Sequence, residues 1–276
     1  ARCGLIDPLD LKAYEAHGGL VGLRKALSLG PEEIVVAVKS SGLRGRGGAG
    51  FPTGIKWETA RTASADQKYI CCNADEGDSG TFADRMLMEG DPFALLEGMV
   101  IAGRAVGADT GYIYIRSEYP HAIQSMRAAI AIWEGANLLG DDIAGSGQAF
   151  HMHMRVGAGA YICGEESSML DSLEGKRGQV RAKPPIPAIS GLFGKPTIVN
   201  NVLSLAAVPF ILSRGADAYK TYGQGESRGT QPFQLAGDIA RGGLVEKAFG
   251  VTLSELVNDF GGGTRSGHLV RTAQVG

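Results

Sequence analysis

The sequence predicts an α/β fold, a parallel sheet with helices on its faces. Two observations carry the prediction. Residues 68–73 form a short apolar run, residues 111–116 alternate Tyr with Ile, and residues 150–156 alternate again. Between these runs lie helical patterns at 92–106 and 121–137, so strand and helix take turns in the order that builds parallel strands joined by crossover helices.

Taken in order, the chain opens with a polar lead and two short helices, near 9–16 and 19–29, that carry no chemistry. Pro31-Glu32-Glu33 reads as a helix start, with Ile34, Val35 and Val38 on one face. Gly45, Gly47 and Gly50 then spell G-x-G-x-x-G, but the dinucleotide fingerprint needs a strand before it and a helix after it. Here a helix precedes it, and Pro52 argues against an immediate helix. The 68–73 run ends in Asn73-Ala74-Asp75-Glu76, a buried strand opening into a functional loop. Asp91-Pro92 caps the next helix, with Pro at its first position. After 150–156, residues 157–166 lead into a helix ending at Leu173. Ligands of such sheets sit beyond the carboxyl ends of the strands, where 73–76 and 157–166 both fall.

Residues 183–187 form an extended, proline-rich stretch, and 195–201 lead into a helix over 202–212. Asn200 and Asn201 at that helix start fit ordinary caps. Near Gly229 the texture changes: strands at 233–237 and 243–245, a helix at 252–260 and a strand at 268–275 read as a small mixed module. That last strand stops at Gly276 without a partner, so the chain is expected to be the front part of a longer polypeptide. The expected organisation is a helical lead over 1–40, a main domain over 41–228 and the start of a second module over 229–276.

With 44% hydrophobic residues in 276, the chain can bury one large core, or one core and a smaller module. Twenty-seven basic and 29 acidic residues leave a formal charge of -2, which provides no global field for nucleic acid or an anionic membrane. An anion site must therefore be local. No apolar run approaches the ~20 residues of a membrane span, and no leader pattern opens the chain, which reads as cytoplasmic and not membrane-inserted. The four cysteines, Cys3, Cys71, Cys72 and Cys163, lack C-x-x-C spacing, and Cys71 and Cys72 on one strand point to opposite faces. Cys71 and Cys163 read as small buried residues beside a cofactor, and no metal ligand is assigned. The 42 glycines cluster at turns between apolar runs, as loop chemistry does. A P-loop is disfavoured: Lys56 follows Gly54 and Ile55, and Trp57 stands where the motif needs a hydroxyl.

Five ordered segments carry a closer resemblance: G-L-R-G-R-G-G-A-G-F-P-T-G-x-K-W from Gly42 to Trp57, C-N-A-D-E-G from Cys72, G-A-G-A-Y-I-C-G-E-E from Gly157, S-L-E-G-K-R-G from Ser172 and G-K-P-T-x-V-N-N-V from Gly194. Together they resemble the FMN-containing, NADH-oxidising flavoprotein subunit shared by respiratory complex I, NAD-reducing hydrogenases and NAD-dependent formate dehydrogenases, over roughly residues 30 to 276. Gly261-Gly262-Gly263 and the segment from Ser190 to Phe193 look most like the formate dehydrogenase beta subunit.

The resemblance implies a Rossmann-like domain binding FMN and NAD(H), followed by a ubiquitin-like module. A helical domain with a [4Fe–4S] cluster would follow, and its cysteine pattern is absent from these residues. It also implies iron–sulfur partners, a [2Fe–2S] thioredoxin-like subunit and a catalytic subunit with several clusters. By resemblance Gly45, Arg46 and Gly47 line the flavin with backbone N–H groups, and Lys56 supplies positive charge. Asn73, Asp75 and Glu76 match the ribityl chain and flavin edge; Asn200, Asn201 and Ser204 match the phosphate region, where a helix N-terminus suits an anion. Tyr161, Gly164, Glu165 and Glu166 match the flavin surroundings. For the nicotinamide nucleotide the matches are Gly48, Phe51 as an adenine-stacking face, Lys183 for the pyrophosphate, and Asp78 where the family commonly has glutamate. Thr59 and Ile186 replace aromatic residues, which implies weaker NADH binding. No side chain is expected to be catalytic, because the implied hydride transfer runs from cofactor to cofactor.

Overall fold

The computed structural model describes residues 2–275, and its contacts divide the chain between Tyr219 and Lys220. The first unit begins with α1 (Leu11–Ala16), α2 (Val21–Leu27), α3 (Pro31–Ser41) and α4 (Thr53–Thr62). It continues through β1 (Tyr69–Ala74), α5 (Ala83–Gly90), α6 (Pro92–Val106), β2 (Thr110–Ile115), α7 (Pro120–Gly135), β3 (His151–Val156) and α8 (Glu166–Leu173). It closes with β4 (Thr197–Asn201), α9 (Val202–Ala206), α10 (Val208–Arg214) and α11, which spans Ala216–Lys220. The lead is no appendage: Tyr14, Leu23, Ile34 and Val38 belong to the main apolar core.

Four parallel strands lie in the order β3-β2-β1-β4, with Tyr69 opposite both Thr110 and Thr197. Alternation along β1 sorts its side chains between two cores. Ile70, Cys72 and Ala74 join the larger cluster, which includes most of α6, while Cys71 joins Cys163, Met169, Leu170 and Val199 beneath α8. The adjacent cysteines thus face opposite sides, as expected, and burial pushes both thiols up. Almost every residue of α6 is buried, and Gly98 lets it lie directly against the Leu205 carbonyl of α9.

Several sequence expectations need correction. A helix does follow the glycine loop at once: Pro52, with φ -60° and ψ 117°, is the N-cap of α4, where its missing N–H costs nothing. The strand the fingerprint needs is still lacking, since α3 precedes the loop. Residues 197–201 form the edge strand β4 rather than a mere approach to a helix. The helix expected over 202–212 is two, separated at Ala207 with Pro209 in the first turn of α10. Asp91 does not cap α6 with its side chain; the carboxylate accepts from the Arg2 backbone N–H and guanidinium.

The second unit contains β5 (Gly223–Gln224), β6 (Ser227–Arg228), β7 (Thr230–Leu235) and β8 (Gly243–Ala248), paired as two antiparallel ladders. A π-helical stretch follows over Glu255–Phe260. The strand expected at 268–275 does not form among the described residues.

Candidate functional site

The site is built at the carboxyl ends of the strands. There β1 delivers Asn73 and the Asp75-Glu76 loop, β4 delivers Asn200 and Asn201, and β3 leads to the turn Tyr161–Gly164. The glycine loop between α3 and α4 completes this edge. A bridge between Arg44 and Pro52 closes its neck, and the Gly45 N–H donates to the Phe51 carbonyl at 2.9 Å. The Arg46 N–H donates to Ser204 Oγ at 2.8 Å, and Gly47 packs so closely that a Cβ there would stand 3.2 Å from Asn201 Cβ. Gly48 and Gly50 have φ of +107° and +61°, which favours glycine at both. The N–H groups of Gly47, Gly48, Ala49 and Gly50 have no hydrogen-bond partner among the described residues. The Arg46 guanidinium turns back to the Arg44 carbonyl and the Tyr219 hydroxyl, and burial holds it below its ordinary range.

Many of the expected side chains use their polar atoms to build the wall. Asn73 donates to the Gly164 carbonyl at 2.8 Å and accepts from the Asp75 N–H at 3.2 Å. Glu76, with φ +36°, accepts from the Asp84 and Arg85 N–H groups at 2.8 and 3.1 Å, and so caps α5 from a distance. Burial pushes its carboxyl up, against the pull of those same bonds. Arg116 donates to the Glu76 carbonyl, and the Tyr119 hydroxyl lies 3.0 Å from its carboxylate. Asn200 accepts from Trp57 Nε1 at 2.9 Å in the core. Asn201 is a true cap, accepting from the Leu203 N–H at 2.9 Å, while its amide donates to buried Asp84 at 2.6 Å.

A charged cluster faces this wall. Glu165 caps α8, accepting from the Ser167 and Ser168 N–H groups at 2.8 and 2.9 Å. Lys183 donates to Glu165 at 3.0 Å and to Glu166 at 2.8 Å, which draws the extended 183–187 stretch to the helix start. Burial opposes ionisation of Glu165, but the serine and lysine bonds outweigh it and leave the carboxyl below the usual range. Lys183 is likewise raised: burial works against its charge, and Glu166 and Glu165 overcome it. Lys56 reaches in from α4, donating to the Val199 carbonyl at 2.9 Å and lying 3.4 Å from Glu166. Tyr161 donates to Asp78 at 2.7 Å on the surface, and Phe51 is exposed on its loop.

Asp75 is buried, and the positive charge of Arg116 favours its ionised form. Burial, first, and then Glu118 outweigh Arg116 and push its carboxyl up to about 6. A raised acid pKa makes folding less favourable once the group ionises. Asp75→Asn should therefore stabilise the apoprotein at pH 7 by roughly 1–2 kcal/mol, a value discounted for screening. The gain should shrink as pH falls below about 6 and vanish below the unfolded-chain value of about 3.9. Urea unfolding at pH 7 and at acid pH checks it; a gain of equal size at both would contradict the assignment.

Sequence reasoning missed Asp84, Arg116, Tyr119 and Trp57. Each acts through a partner far along the chain, and no local pattern marks such a pair.

A parallel α/β sheet with an open glycine loop, a lysine and a carboxylate cluster at its strand ends defines a protein that binds a phosphorylated nucleotide-type cofactor. Residues 38–210 match the family model described as the Nuo51 FMN-binding domain, and the chain belongs to that family. It is 50% identical over 275 residues to the NADP-reducing hydrogenase subunit HndC of Solidesulfovibrio fructosivorans, covering 100% of this chain and 56% of that protein. Against an NADH-quinone oxidoreductase subunit of Rhizobium meliloti (strain 1021) the identity is 51% over 267 residues, 96% of this chain and 63% of that protein. The chain thus spans 56–63% of these two relatives. Among solved structures, an NAD+-reducing [NiFe]-hydrogenase in the air-oxidized state superposes with a TM-score of 0.79 at 38% identity, over 91% of this chain and 42% of that one.

The residues present fit FMN. Unpartnered N–H groups at Gly47–Gly50 suit a phosphate or a polar flavin edge, and Gly47 leaves open the space that a side chain would fill beside Asn201. No helix among the described residues is long and apolar enough to cross a membrane.

Proposed function

We propose that the chain is the NAD(H):FMN oxidoreductase module, a diaphorase, of a cytoplasmic multisubunit oxidoreductase. The observation that carries this reading is one sheet edge that gathers the open N–H groups of the glycine loop, Lys56, and the Glu165–Glu166–Lys183 cluster. FMN, when bound, supplies hydride exchange with the nicotinamide and single-electron release. The protein's part is position and charge. Gly45, Arg46 and Gly47 would present backbone to the flavin, Lys56 would supply positive charge close to it, and Asn73, Asp75, Glu76, Asn200, Asn201 and Ser204 shape the wall. Tyr161, Gly164, Glu165 and Glu166 close the opposite side. Gly48, Phe51, Asp78 and Lys183 bind the nicotinamide nucleotide, with Lys183 drawn to its pyrophosphate in exchange for part of its carboxylate pairing.

Residues 229–276 are the start of a ubiquitin-like module, and a [4Fe–4S] domain follows in the rest of the protein. Electrons pass to it and to iron–sulfur partners, a [2Fe–2S] thioredoxin-like subunit and a catalytic subunit. Gly261-Gly262-Gly263 and the Ser190–Phe193 segment support NAD-dependent formate dehydrogenase as the parent complex. The 50% identity to a hydrogenase subunit supports a second reading, the equivalent subunit of such a hydrogenase.

Adenine stacking on exposed Phe51 is worth about 1–3 kcal/mol, so Phe51→Ala should weaken NADH binding to the FMN-loaded chain by about tenfold or more. Isothermal titration reads this, and unchanged affinity would remove Phe51 from the nucleotide site.

A further inference from the structure

We infer that Asp84, in the first turn of α5, is a positioning residue of the flavin cradle: its carboxyl fixes the Asn201 amide against Gly47. This rests on the placement of FMN proposed above. Asp84 is 3% exposed, and its Oδ2 accepts from Asn201 Nδ2 at 2.6 Å. The other end of the same amide accepts from the Leu203 N–H at 2.9 Å, so both ends of Asn201 are held and its Cβ has one place to stand. That place is against Gly47, and one turn farther on, Ser204 Oγ takes the Arg46 N–H. The glycine loop therefore docks on the turn that Asp84 holds.

Asp84 is itself tied to the flavin side of the sheet. Its N–H and that of Arg85 donate to Glu76, which leaves β1 beside Asp75. One residue thus joins three segments that no short-range pattern connects: the 73–76 loop, α5 and the β4–α9 turn. A buried acid is an expensive way to provide one acceptor. Burial, then the Glu76 carboxylate, drive the Asp84 carboxyl well above the ordinary range, while the Asn201 bond only partly opposes them. An asparagine at 84 keeps a carbonyl acceptor of the same shape for the Asn201 amide. Alanine at 84 leaves the half-buried Asn201 N–H without its acceptor and frees the amide to rotate.

The test is FMN affinity, read by quenching of flavin fluorescence, for the wild-type chain, Asp84→Ala, Asn201→Ala, the double variant and Asp84→Asn. Loss of this half-buried bond should weaken FMN by about tenfold or more in Asp84→Ala and in Asn201→Ala. The double variant should bind within about twofold of Asn201→Ala, because Asp84 acts through Asn201. Asp84→Asn should stay within about threefold of the wild type. Losses that multiply in the double variant would overturn the inference, as would Asp84→Ala binding like the wild type. If Asp84→Ala does not fold by near-ultraviolet circular dichroism, Asp84→Asn decides: an unfolded protein, or a folded one weakened by more than about tenfold, overturns the inference. A wild-type chain that binds no FMN sinks the proposed function itself, whereas wild-type binding with multiplying losses sinks only the role of Asp84.

Discussion

Gly98→Ala is expected to destabilise the fold by about 3 kcal/mol, the upper range for overpacking a well-filled core. The added Cβ would stand 2.1 Å from the Leu205 carbonyl oxygen and 2.6 Å from its carbon. Both contacts are with backbone, and α6 is buried along nearly its whole length, so neither helix can swing into solvent to make room. The helix that would be pushed is α9, which carries Ser204 and follows Asn201. The same substitution should therefore lower FMN affinity even where the protein still folds. Urea unfolding measures the first effect and flavin titration the second; a midpoint like that of the wild type would show that the α6–α9 contact has slack.

Gly47→Val should have the opposite profile, with FMN affinity falling by about a hundredfold, or some 2.7 kcal/mol, and little change in stability. Gly47 is exposed and its φ is not positive, so valine meets no backbone strain and no core. Its Cβ would press on Asn201 Cβ at 3.2 Å and its methyls would cover the neighbouring N–H groups. Thermal unfolding of the apoprotein with flavin titration separates these effects. Unaltered FMN binding would place the cofactor elsewhere on the sheet edge. The contrast between the two glycines locates them, one in the core that supports the cleft and one on its lip.

The sheet was largely legible because period-two alternation over 111–116 and 150–156 marks β2 and β3 directly, and the apolar run at 68–73 marks β1. β4 was hidden because Thr197–Asn201 passes straight into α9 with no turn residues between them. α5 was hidden because its cap is the side chain of Glu76, outside the local positions that capping rules inspect. Pro52 misled for a related reason: beside the loop it reads as a breaker, yet at the N-cap it starts α4. For the site, strand-end position made Asn73–Glu76 stand out, while Asn200 and Asn201 were marked by a helix start and by the family resemblance. What those side chains do was not legible. Asn200 serves Trp57, and Asn201 serves both the α9 start and Asp84, pairings that exist only once distant segments pack. The charged cluster behaved likewise, since Lys183 meets Glu165 and Glu166 through a loop whose path no motif fixes.

The most direct measurement is a visible spectrum of the chain after loading with FMN and desalting, taken without oxygen before and after NADH is added. A yellow protein whose flavin band bleaches on NADH addition is the predicted result, since the proposed function requires hydride to pass from the nicotinamide to the flavin. A colourless protein, or a flavin band that NADH leaves unchanged, would contradict it and leave a subunit that binds a nucleotide for assembly alone.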